Sequence, residues 1–144
     1  MNSRQQLAAC LLRLATAANF LSAVAGRIGL WGHGNWTSFL AYAREVNSFA
    51  PPGWVPWLAT TATVLEIAFG LLLLAGYRVQ WTALGASLLT LLFALAMAWS
   101  YGLREPLNYS VFVDSTSALL LGALPADRWS LDAWLGRRRA SVHG

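Results

Sequence analysis

Apolar residues run along this chain in four long stretches rather than in the half-buried stripes of a water-facing fold. The stretches cover residues 7–31, 55–75, 81–103 and 107–124. Each is close to the roughly 20 residues that cross a hydrocarbon core of about 30 Å. They predict an all-α fold, a polytopic membrane four-helix bundle with residues 1–144 forming one integral membrane domain. Between the first two spans, Trp36, Phe39, Leu40, Ala43, Val46 and Ala50 recur at three- and four-residue intervals. Polar residues fill the gaps, so this segment is expected to be a short amphipathic helix at the membrane interface.

Turn residues punctuate the pattern. Pro51-Pro52-Gly53 stops the interfacial helix, and Pro56 suits the first turn of the second span. Gly76-Tyr77-Arg78 makes a tight return, Pro106 opens the fourth span, and Pro125 ends it. Ala23-Val24-Ala25 resembles a signal-peptide cleavage site, but Arg13 and Asn19 interrupt the stretch before it, so an uncleaved helix is expected. The tail, 126–144, pairs Trp129, Leu131, Trp134 and Leu135 with the run Arg137-Arg138-Arg139 and reads as a surface anchor on anionic lipid.

Composition agrees with lipid as the solvent. The chain is 57% hydrophobic and 11% charged, against about 25% charged in a soluble domain. The net charge of +4 comes from arginine alone, placed mostly at span ends, which argues for topology and against nucleic acid. Arg4, Arg78, Arg128 and the terminal triplet share one side, so both termini are expected in the cytoplasm. Cys10 is alone, and His33 and His143 are the only histidines, so no disulfide, zinc centre or haem ligation is expected. The catalytic residues, if there are any, are unknown.

Three charges are read as deeply placed in the spans, and each costs roughly 2.5–3.5 kcal/mol near a helix centre. They are Arg27, Glu66 and Asp114. Counted from one side of the membrane, their depths differ by about 10 Å at most, which long side chains can bridge. They are expected to share one ligand-binding site, with Glu66 as proton holder and Asp114 nearer Arg27. Tyr101, Asn108 and Tyr109 lie near its mouth as further donors. The competing reading is an ionic cluster that only fixes helix register.

The segment Arg27-Ile28-Gly29-Leu30-Trp31-Gly32, the run Ala62-Thr63-Val64-Leu65-Glu66-Ile67-Ala68-Phe69-Gly70 and the stretch Glu105-Pro106-Leu107-Asn108-Tyr109-Ser110 with Asp114 together resemble the DoxX-like family. That resemblance implies a small four-helix protein of the bacterial cytoplasmic membrane linked to a quinone-dependent redox enzyme. Relatives in the wider group carry cysteine pairs, which this chain lacks. The function expected on these grounds is a redox-linked accessory subunit holding a quinone or other lipophilic molecule, with membrane lipid and a redox enzyme subunit as partners. A proton-coupled transporter and an assembly subunit are the alternatives. A homo-oligomer would use the faces of Gly70 and Gly85.

Overall fold

The protein is described by a computed structural model covering residues 1–142. His143 and the last residue of the expected tail lie outside the described residues. Among those described, 77% are helical and none forms a strand. The helices are α1 (Ser3–Arg27), α2 (Trp36–Val46), α3 (Val55–Ala75), α4 (Val79–Tyr101), α5 (Arg104–Asn108), α6 (Val111–Ala123) and α7 (Leu131–Val142). Three of them, α1, α3 and α4, are long and apolar enough to cross a membrane.

Local chemistry sets the helix ends. Asn2 and Gln5 form a capping box that starts α1 before the expected boundary. Gly29, at φ +74°, stops it before Trp31, and the Leu30 amide closes back on the Ala25 carbonyl. Asn35 and Ser38 cap α2 in the same way. Gly76 ends α3 in the left-handed region, and Gly102 ends α4. The expected unbroken helix over 107–124 is interrupted: Ser110 sits at φ +57°, separating α5 from α6. Alone, α6 has 13 residues, about 20 Å of helix, which is short of a hydrocarbon core of about 30 Å.

Packing follows small residues. The most extensive contacts are between α4 and α6 and between α1 and α3. Ser87 and Ser115 exchange bonds between α4 and α6: Ser87 Oγ donates to the Ser115 carbonyl at 2.8 Å and Ser115 Oγ to the Ser87 carbonyl at 3.0 Å. Ala83, Ala86, Ala118 and Leu121 complete that seam, joined by Ala17, Phe20 and Leu73 from the other pair. Gly70 and Gly85, expected to be free for a dimer contact, are used internally. A Cβ on Gly70 would lie 2.8 Å from Leu21, and one on Gly85 would lie 2.8 Å from the Phe69 ring. Trp57, Trp81 and Trp99 stay at least three-quarters exposed, as side chains do when lipid is the solvent.

The deepest ionic pair is not among the three charges singled out from the sequence. Arg13 is 3% exposed and Asp127 0%, with Arg13 Nε donating to Asp127 at 2.9 Å. Arg13 Nη1 also donates to the carbonyls of Leu73 and Leu74, at the C-terminal end of α3. The Leu73 carbonyl also accepts from the capping Gly76 amide at 3.1 Å, so one guanidinium adds to the satisfaction of a helix end and pairs a carboxylate at once.

The tail is therefore more than a surface anchor. Asp127 binds α1, Arg128 N donates to Gln6, and Asp132 accepts from the amides of Arg78 and Val79 at the start of α4. Ser130 packs so closely on Gly76 that a Cβ there would lie 2.7 Å away. Asp127→Ala should lower unfolding stability by about 3–5 kcal/mol, because it leaves Arg13 buried and unpaired. Arg139→Ala, on an exposed side chain, should change it by no more than about 0.5 kcal/mol. Thermal unfolding of the detergent-solubilised proteins measures the difference.

Candidate functional site

Glu66 lies eleven residues along α3 from Val55, about 16 Å from that end and close to the helix midpoint. It shares the buried face of α3 with Val55, Ala59, Thr63, Gly70 and Leu73. Arg27 is the last residue of α1, and a helical side chain points back toward its own N-terminus. Its guanidinium is therefore carried inward, to the level of Glu66.

Arg27 Nη1 pairs with Glu66 Oε2, and Nη2 donates to Oε1 at 3.0 Å. This two-pronged pairing fixes both planes. Nη1 also donates to Thr63 Oγ1 at 3.0 Å, and that hydroxyl passes its proton to the Ala59 carbonyl. Phe39 of α2 lies over the guanidinium, 4.1 Å from ring centre to Cζ, an arrangement that stabilises a desolvated cation. So α2 does not simply lie on the membrane surface. Ala43, Val55 and Ala59 bury against one another, and Ser100 donates to the Val46 carbonyl at 2.7 Å. These contacts hold α2 as a cover over the ion pair.

A cavity of about 170 Å³ adjoins the pair, lined in part by Asn19, Phe20, Ala62, Leu89, Thr90 and Phe93. Ala62, Leu89 and Phe93 also line a second space of about 270 Å³, which runs past Leu58, Leu65 and Leu92 between α3 and α4. A mainly apolar space between α3 and α4 thus borders the cavity at Arg27 and Glu66. Asn19, Phe20 and Thr90 are shared in turn with a crevice of about 290 Å³ between α1 and α6.

Asp114 stands in that crevice, not beside Arg27. It accepts a bond from Asn19 Nδ2 at 3.3 Å. The expected cluster of three charges is a pair plus a separate carboxylate, because Arg27 is already engaged by Glu66 and Thr63. Tyr101 donates to Glu45 at 2.9 Å on the outside of the bundle, while Asn108 and Tyr109 are exposed; none of these three lines either cavity. Tyr42, near the Arg27 end, has its phenol pushed above the ordinary value, first by burial and then by Tyr109, and stays a neutral donor. Among the described residues, no group of His, Cys, Asp and Glu could hold a metal ion.

Sequence reading missed the Arg13–Asp127 pair. The available signal was an arginine inside an apolar span, which demands a partner. Asp127 sat in a tail that looked solvent-exposed, so nothing local pointed to it.

Long apolar helices packed around sealed ion pairs define a multi-pass membrane protein. The chain belongs to the MauE family: the family model described as methylamine utilisation protein MauE matches residues 5–108. This corrects the DoxX-like assignment, since the matching family is a different one. Leucine-rich spans around one mid-helix glutamate are too general a pattern to separate families. No curated protein and no solved structure matches the chain. Arg13, Arg27 and Glu66 fall inside the matched segment, whereas Asp114 and Asp127 lie beyond it.

The ion pair permits a direct energetic test. Glu66→Leu should destabilise the protein by about 3–5 kcal/mol by stranding Arg27, and Arg27→Leu combined with Glu66→Leu should recover most of that loss. Denaturant or thermal unfolding of the three proteins reads the coupling, and equal stability of single and double variants would contradict it.

Proposed function

We propose that this chain is an integral membrane accessory protein of a methylamine-utilising system and that its Arg27–Glu66 pocket binds the polar head of a lipophilic molecule, a quinone in particular. Support for the pathway comes from membership of the family of methylamine utilisation protein MauE. The observation that carries the binding reading is an Arg–Glu pair lining a cavity that borders a mainly apolar space between α3 and α4. In this reading α5 and α6 complete a fourth crossing of a bacterial cytoplasmic membrane, with the arginine-rich end and both termini in the cytoplasm.

The residues present suit such a head group. Arg27 supplies N–H donors for a carbonyl or phenolate oxygen, and Glu66 is a carboxylate able to take or return a proton at that oxygen. Phe93 offers a flat apolar wall to the cavity, and Phe39 of α2 lies over Arg27. A bound quinone would supply two-electron redox chemistry, with electrons exchanged through a partner enzyme of the same system.

One observation favours a second reading, the purely structural one: every buried side-chain polar atom in the described residues has a hydrogen-bond partner. Mass spectrometry of lipophilic molecules extracted from purified protein, normalised to phospholipid, separates the two. A quinone should be enriched in wild type and fall about tenfold in Glu66→Gln, equivalent to about 1.4 kcal/mol of binding. Absence of enrichment in both proteins would leave the pair as a structural device and reject the binding role.

A further inference from the structure

The crevice between α1 and α6 has a chemistry opposite to that of the Arg27 pocket. Thr16 Oγ1 donates to the Leu12 carbonyl at 2.8 Å, and Thr90 Oγ1 donates to the Ala86 carbonyl at 2.9 Å. Both hydroxyls have spent their protons on their own helices and keep only lone pairs for the crevice. Asn19 commits one N–H to Asp114 Oδ2 at 3.3 Å, which leaves its second N–H and the Ser117 hydroxyl as donors against five acceptor groups: both threonine oxygens, the Asn19 carbonyl and the two Asp114 oxygens. The ion pairs among the described residues are Arg13–Asp127 and Arg27–Glu66, so Asp114 has no cation.

Acceptors therefore exceed donors around a carboxylate that lacks a counter-charge, between helices that face lipid. An anion would face the uncompensated Asp114 and more acceptors than donors. A ligand with several N–H donors and a positive charge matches that excess. Phe20 adds a ring that attracts cations, and Leu12 and Ala15 add apolar surface.

We propose that this crevice is a binding site for a small primary alkylammonium ion. Its three N–H donors meet Asp114, the Asn19 carbonyl and Thr16 Oγ1, and its alkyl group lies against Leu12, Ala15 and Phe20. The volume of about 290 Å³ leaves room for a short chain. The site shares Asn19, Phe20 and Thr90 with the Arg27–Glu66 pocket, but the proposal does not rest on a quinone bound there.

The test titrates methylammonium chloride into the purified full chain in detergent and follows the melting temperature, with tetramethylammonium and sodium chloride at matched ionic strength. Only methylammonium should give a saturable rise, because tetramethylammonium has the charge without the N–H donors. Asp114→Asn, nearly the same shape, should weaken the affinity by about tenfold or more, and Thr16→Val by several-fold. Equal shifts with tetramethylammonium, or wild-type affinity in Asp114→Asn, would overturn the proposal. Should Asp114→Asn fail to fold, wild-type affinity in Thr16→Val would overturn it instead.

Discussion

A guanidinium inside an apolar bundle has to be surrounded by acceptors, because lipid offers none. Arg13 meets that demand with Asp127 and the carbonyls of Leu73 and Leu74, and much of the architecture depends on it. The bond to Asp127 draws the chain after α6 back across the end of the bundle. Once there, Ser130 settles on Gly76 and Asp132 caps the start of α4. One buried charge thus ties together α1, the α3–α4 turn and the tail, which share no run of sequence.

The rest of the molecule is two helix pairs, α1 with α3 and α4 with α6, each closely packed through alanine, glycine or serine. The pairs meet less closely and leave spaces between them. One such space adjoins Arg27 and Glu66, which bond within the first pair. At the other, Asp114 and Asn19 face a crevice walled by spent hydroxyls. The two share Asn19, Phe20 and Thr90, yet one holds an arginine–carboxylate pair and the other a carboxylate without a cation. A multi-pass protein of the MauE family thereby presents two chemically distinct recesses in one small fold.

Only the first recess lies wholly on helices within the segment that the family model matches. The second takes Asp114 and Ser117 from α6, past residue 108. The Arg13 clamp is divided in the same way, with its arginine inside the matched segment and Asp127 outside. Both the crevice and the clamp depend on how the end of the chain returns to its beginning.

The sequence by itself determined the helical membrane character, three of the crossings, the amphipathic segment before α3, and the need for Arg27 and Glu66 to find partners. Those follow from local quantities: the length of an apolar run, a three-to-four periodicity, and the cost of a charge in lipid. Helix ends were legible only where glycine or proline marked them; the break at Ser110 left no such mark. Tertiary structure alone decided the pairings. Arg27 took Glu66 and left Asp114 to Asn19, and Arg13 reached a tail carboxylate 114 residues away. Spacing along a helix gives depth and face, but which charge meets which depends on helix order and separation. Those are set by the small residues that let α1 close on α3 and α4 on α6.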